Sequence, residues 1–204
     1  MKPKVKVCGV VDPDFAAEAA RRGVDYVGVI FAERSPRRVD VAKARLVASA
    51  AHAAGRMPPP KVVGVFTSGS ADEIADVAAS VPLDVVQLHG AFDDETVTAL
   101  KGAGYEVWRL YDPSRSPAVS GEDAVLLDGR DGGRVGGTGR LANWSLVGEL
   151  VKKGVRVVLA GGLSPENAAA AAGTGADVLD FNSGIETSPG VKSVALLDDL
   201  LSRH

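Results

Sequence analysis

The chain has 204 residues, 46% of them hydrophobic and 24% charged, a balance that fits a folded globular protein and excludes a disordered one. Its 23 Lys+Arg against 26 Asp+Glu give a formal charge of −3 without a long block of either sign, so no nucleic-acid partner is expected. A single cysteine excludes an intramolecular disulfide, no apolar run nears the roughly 20 residues of a membrane helix, and MKPKVKVCGV lacks the apolar core of a secretory leader, so a cytoplasmic protein without a membrane partner is expected.

Short valine-rich runs alternate along the chain with alanine-rich stretches of helical spacing. VKVCGV comes first, carrying Cys8 and Gly9, and a helical stretch from Asp14 to Arg22 follows. VDYVGVIF leads into the loop ERSPRRV, with Arg37 and Arg38, and then a helical pattern from Val41 to Ala54. KVVGVF precedes a helix over Asp72 to Ser80, and DVVQLHG, ending near His89, precedes one over Asp93 to Ala103. After YEVWRLYD comes a link with Pro113 and Pro117 that reads least well as a helix. DAVLLDG ends at Asp128 and is followed by GGRVGGTG, which reads as a mobile loop, and by a helix over Ser145 to Lys153. VRVVLAGG runs into SPEN, where Ser164 is expected to cap a helix that starts at Pro165 and reaches Ala172. DVLDFNSG is the eighth run, and VKSVALLDDLLSR supplies a final helix.

The eight runs are near-continuously apolar instead of strictly alternating, as strands of a helix-covered parallel sheet are. Eight β/α units in one unbroken stretch predict a (β/α)8 TIM barrel, a single domain over residues 1–204. A doubly wound open sheet is the alternative, though it more often has five to seven strands. The barrel places chemistry on the loops after the strands, which is where Cys8, Arg37, Asp128, Gly161, Gly162, Ser183 and Gly184 fall.

LAGGL and NSGIE put glycines after the last two strands, where barrels hold a phosphate on backbone amides and a helix N-terminus. Either pair alone reads as a tight turn; together in consecutive units they favour phosphate binding. GGRVGGTG does not match the GxxxxGK[ST] phosphate loop. Asp128 either caps a turn or projects into the barrel mouth as a general acid. A lone Cys8 reads as an inert buried thiol, unless the field of a phosphate site lowers its pKa and makes it a base. Arg37 or Arg38 is either a solvated loop residue or the clamp for an acidic group. His89 reads as structural, because no second histidine or carboxylate accompanies it at metal spacing.

Taken in order, KVCGV, GVIFAERSPRRV, VVGVF, VVQLHG, LLDG, GGTG, LAGGLSPEN and NSGIETSPGVK resemble the phosphoribosylanthranilate isomerase family of tryptophan biosynthesis over nearly the whole chain. The resemblance implies a cofactor-free Amadori rearrangement of a small phosphosugar, N-(5-phosphoribosyl)anthranilate, to a 1-deoxyribulose phosphate. It implies Asp128 as the acid that protonates the furanose oxygen and Cys8 as the base that removes the C2′ proton. It also places Arg37 near the anthranilate carboxylate, Gly161, Gly162, Ser183 and Gly184 around the phosphate, and Asp180 in support.

The chain departs from the family at Phe181 and Asn182, where smaller residues are usual, and at Arg140, where a lysine is common. Phe181 is expected to point away from the barrel mouth. Related isomerases of histidine biosynthesis carry paired aspartates on the first and fifth strands, whereas the first strand here carries Cys8. No strand end offers the lysine acid of an indoleglycerol phosphate synthase. A barrel that binds phosphate without catalysis is disfavoured by the retained acid and base candidates. The helix faces leave a monomer or a homodimer open.

Overall fold

A computed structural model describes residues 2–114, 121–129 and 144–204. Eight parallel strands close into a barrel in sequential order: β1 Lys4–Val7, β2 Tyr26–Ile30, β3 Lys61–Phe66, β4 Val85–Leu88, β5 Glu106–Leu110, β6 Ala124–Asp128, β7 Val157–Ala160 and β8 Val178–Phe181. Closure is made by β1 lying beside β8, with Val5 opposite Leu179 and Val7 opposite Phe181. Around the barrel lie α1 Pro13–Arg21, α2 Val41–His52, α3 Ala71–Ser80, α4 Asp94–Gly102, α5 Trp144–Lys152, α6 Ala168–Ala172 and α7 Val194–Arg203. No helix among the described residues is long and apolar enough to cross a membrane.

Local chemistry starts the first four helices. Asp12, Asp40, Ser70 and Asp93 each stand one residue before a helix and accept a backbone N–H from its first turn. At α3 the arrangement is reciprocal: Glu73 Oε2 also accepts from Ser70 N at 2.8 Å, which satisfies a second exposed donor.

Because successive side chains alternate across a strand, each strand has one residue set for the helices and one for the barrel interior. Val5, Val7, Val27, Val29, Leu159, Leu179 and Phe181 pack outward in the main hydrophobic core with residues such as Phe15, Val47, Ile74, Leu100 and Leu197. Phe181 therefore points away from the barrel mouth, as expected. The inward set is apolar around Tyr26, Val63, Trp108, Leu126 and Val158, where the Tyr26 and Trp108 rings meet edge to face at 4.9 Å. Beside it, the inward-facing set also contains Lys6, Gln87 and Asp180, all buried.

The structure corrects two expectations. Ser164 does not cap a helix beginning at Pro165: residues 165–167 form a turn in which Asn167 Oδ1 accepts from Ser164 N at 2.9 Å, and α6 begins only at Ala168. The final helix, expected over residues 191–203, begins only at Val194: after β8 the chain makes a 3-10 turn at Ser183–Ile185 and a hairpin of β9 Glu186–Ser188 and β10 Val191–Lys192. The described residues between β5 and β6 contain no helix, while Pro117 of that link, GGRVGGTG and Arg140 lie outside the described residues.

Candidate active site

A cavity of about 270 Å³ opens at the C-terminal ends of the strands. It brings together Cys8 immediately after β1, Arg37 from the loop after β2, Asp128 from β6, Gly161 and Gly162 from the loop after β7, and Asp180 and Ser183 from β8 and its loop. Gly184 is absent from that lining. A Cβ on Gly184 would lie 2.1 Å from the Leu163 carbonyl oxygen and 2.8 Å from Ser164 Cα, so its bare backbone lets the last two loops pack against each other.

The sequence K-V-K-V-C explains the first wall. Val5 and Val7 face the helices, so Lys6 and Cys8 face the interior, one pleat apart. Lys6, with no exposed surface, donates to Asp180 Oδ2 at 2.6 Å. Burial alone disfavours the ammonium, and the Asp180 carboxylate outweighs it, holding Lys6 above the ordinary lysine value. Gly28 on β2 makes the room: a Cβ there would stand 3.0 Å from Cys8 Sγ and 3.3 Å from Lys6 Cε. The expected lowering of the Cys8 pKa does not hold. Cys8 is 5% exposed, and burial pushes its thiol up, against the opposing pull of Lys6. Lys6 lies within β1, not at its end, and is buried against Asp180, so it is not a lysine at a strand end.

Across the cavity, Asp128 Oδ2 lies 3.5 Å from His89 Nε2, and the other ring nitrogen of His89 is 3.3 Å from Gln87 Nε2. His89 thus has the carboxylate neighbour that its sequence surroundings did not supply, and it lines the cavity beside the acid candidate. Gly161 fits against the same carboxylate. At φ +86° its Cβ would fall 2.6 Å from Asp128 Oδ1 and 2.2 Å from Gly129 N, so only glycine fits there. Two acceptors of lining residues, Gln87 Oε1 and Asp180 Oδ1, are buried without a hydrogen-bond partner among the described residues.

Arg37 is not a solvated loop residue. Its Nε and Nη2 donate to Glu186 Oε1 and Oε2 at 2.8 and 2.5 Å, and its side chain is 15% exposed. Lys192 Nζ donates to Glu186 Oε1 at 2.8 Å, to Asn182 Oδ1 at 2.8 Å and to Asn182 O at 2.9 Å. Burial would push the Glu186 carboxyl up, yet Arg37 and Lys192 overcome it and hold it at about 2. Asn182, one of the departures from the family pattern, therefore anchors Lys192 and also lines the cavity. Among the described residues no group of three or more His, Cys, Asp and Glu is placed to hold a metal ion.

Residues 5–203 match the family described as N-(5′phosphoribosyl)anthranilate isomerase. The chain belongs to that family. Similar proteins include the tryptophan biosynthesis protein TrpCF of Vibrio parahaemolyticus, 43% identical over 92% of this chain and 38% of that protein. The chain spans well under half of the length of that relative. The N-(5′-phosphoribosyl)anthranilate isomerase of Neisseria meningitidis serogroup B is 36% identical, over 95% of this chain and 92% of that one. Among solved structures, the phosphoribosylanthranilate isomerase of Thermus thermophilus superposes with a TM-score of 0.84 at 32% identity, covering 98% of this chain and 97% of that one. A phosphoribosylanthranilate isomerase in complex with reduced 1-(o-carboxyphenylamino)-1-deoxyribulose 5-phosphate superposes with a TM-score of 0.83 at 27% identity, with 98% and 97% covered.

Within this phosphoribosylanthranilate isomerase fold, the site also draws on Lys6, His89, Glu186 and Lys192, for which the sequence motifs give no site role. The K-V-K-V-C alternation was enough to point Lys6 inward, and His89 occupies a strand-end position like that of Asp128. Nothing local marks Glu186 and Lys192. They reach the site only because the hairpin after β8 folds back over the loop after β2.

Proposed function

We propose that this chain isomerises N-(5′-phosphoribosyl)anthranilate to 1-(o-carboxyphenylamino)-1-deoxyribulose 5-phosphate, with Asp128 as general acid and Cys8 as general base. The observation that carries the reading is the convergence of a carboxyl group, a thiol, an arginine and two glycine-bearing loops on one cavity in a member of this family. The related structure holding a reduced form of that product supports the choice of substrate.

The substrate phosphate is assigned to the amides around Gly161, Gly162 and Ser183, where two left-handed glycines leave the backbone bare. The short α6 begins too late in the chain to take the role expected of a helix N-terminus. Asp128 transfers its proton to the furanose oxygen as the C1′–O bond breaks, and the anilino nitrogen supplies the electron pair that forms the C=N bond. The resulting iminium acidifies the C2′ proton, which Cys8 takes as thiolate to give an enolamine. Reprotonation at C1′ and loss of the hydroxyl proton at C2′ deliver the ketone, so atoms and electrons balance within one substrate. A thiol pushed up by burial is the stronger base once ionised, and the Lys6 and Lys192 ammonium groups favour its ionised form.

The test follows the loss of phosphoribosylanthranilate fluorescence after addition of purified protein. Parent protein is expected to consume the substrate, while Cys8→Ala and Asp128→Asn each lower kcat by roughly 10²- to 10⁴-fold with an unchanged circular dichroism spectrum. Parental rates in both variants would remove the acid and base assignment.

A further inference from the structure

The planar guanidinium of Arg37 carries five N–H donors in a fixed fork. Its side-on edge, Nε and Nη2, is already occupied by the two oxygens of Glu186. What remains is the end-on edge, Nη1 with the second N–H of Nη2, on a residue that lines the cavity. Since the group is planar, fixing one edge fixes the direction of the other.

The clamp is itself held. Glu186 Oε1 accepts from Lys192 Nζ at 2.8 Å and from Gly190 N at 3.2 Å in addition to Arg37. All three ammonium protons of Lys192 are matched by three acceptors, Asn182 O, Asn182 Oδ1 and Glu186 Oε1, so none is left for a ligand. The side chains of Glu186 and Lys192 are 4% and 2% exposed, against 15% for Arg37, so the support is buried more deeply than the arginine that lines the cavity. The arginine stem is fixed from the other side by Gly9: a Cβ there, at φ +70°, would lie 2.6 Å from Arg37 Cδ. Two cations and one carboxylate leave the cluster one positive charge, the complement of a single carboxylate.

We propose that Glu186, backed by Lys192, is a positioning residue that turns the end-on edge of Arg37 toward the aryl carboxylate of the substrate and so sets the preference for a carboxylated ring. The inference rests on the isomerase reading above and adds to it the device that makes Arg37 selective. A guanidinium already locked in direction loses less freedom on binding than one that must be ordered by the ligand.

Glu186→Gln replaces one acceptor by an NH2 group that faces a donor on Arg37, while Lys192→Met removes the rear support. Both full-length variants are compared with the parent by steady-state kinetics. Calorimetric binding is measured with two probes, the reduced product analogue and the same molecule lacking its ring carboxyl group. Glu186→Gln is expected to raise KM by about tenfold to a hundredfold, the scale of a lost charged hydrogen bond, with a much smaller change in kcat. Its preference for the carboxylated probe is expected to collapse while its affinity for the other stays within about twofold of the parent. Lys192→Met is expected to shift the same ratio in the same direction by less, and serves as the reading if Glu186→Gln does not fold. A retained preference ratio in the folded variants, or an equal loss for both probes, overturns the inference. A parent that neither turns over the substrate nor binds either probe overturns the isomerase reading and this inference together, whereas an active parent with an unchanged ratio in the variants overturns this inference alone.

Discussion

Lys6 and Asp180 meet in the barrel interior as a buried ion pair 2.6 Å apart, one pleat from Cys8. Such a pair is weak support for stability while intact, since desolvating two charges offsets their attraction, but removing one partner strands the other. Lys6→Met is therefore expected to destabilise the protein by about 3–5 kcal/mol, read from urea unfolding. The double variant Lys6→Met with Asp180→Asn is expected to recover part of that loss; additive losses would show that the two side chains are not coupled. The same neighbourhood governs Cys8. With its thiol pushed up by burial, alkylation by iodoacetamide at pH 7 is expected to be slower than that of a free cysteine, and a faster reaction would contradict the environment described for it. Asp128 and Cys8 were legible as candidates because each closes an apolar run. Lys6 is harder to read, because a lysine near a strand start resembles a solvated one even where the alternation around it points it inward.

Among the elements, a two-strand unit repeats four times around the end of the barrel where the strands begin. Asp25, Asp84, Asp123 and Asp177 stand just before the even strands β2, β4, β6 and β8. Each accepts a backbone N–H near the start of the preceding odd strand: Val5 at 2.9 Å, Val62 at 2.7 Å, Val107 at 2.8 Å and Val157 at 2.8 Å. Each carboxylate takes up a donor that the parallel ladder leaves exposed where a strand begins. The repeat is visible in the sequence as an aspartate ahead of every second run, in VDYVGV, LDVVQL, EDAVLL and ADVLDF. Loss of one charged acceptor costs about 1.5–3 kcal/mol. Asp177→Ala is accordingly expected to lower Tm by roughly 3–12 °C in a chain of this size, measured by calorimetry, with little effect on turnover because the contact lies at the end of the barrel opposite the cavity. An unchanged Tm would mean that water replaces the carboxylate without loss.

For the molecule as a whole, the Arg37–Glu186–Lys192 cluster ties the hairpin after β8 to the loop after β2 across the mouth, so its ionisation bears on the stability of the assembled barrel. A carboxyl held at about 2 in the folded protein, against an ordinary 4.5, favours folding fully above the ordinary value and loses that contribution as pH falls toward about 2. The urea midpoint of the parent is expected to fall more steeply than that of Glu186→Gln between pH 4.5 and about 2, with the two curves parallel above that window; parallel curves throughout would argue against a paired, ionised Glu186. Because β1 must lie beside β8 for the sheet to close, the chain is also expected to unfold as one unit, with coincident fluorescence and circular dichroism transitions, and two separate transitions would contradict a single domain.

The part of this fold that can be read from the chain alone is local in origin. Eight apolar runs interleaved with alanine-rich helical stretches specify a parallel barrel, and the residue that ends each run lies at its mouth, because both patterns repeat within a few residues of chain. Which of those residues have partners depends on the closed barrel. Lys6 finds Asp180 across 174 positions and Arg37 finds Glu186 across 149, contacts that exist only once the last strand has closed on the first. Closure also reversed the expectation for Cys8, since burial, which no short stretch of sequence encodes, opposes the ionisation that nearby cations favour.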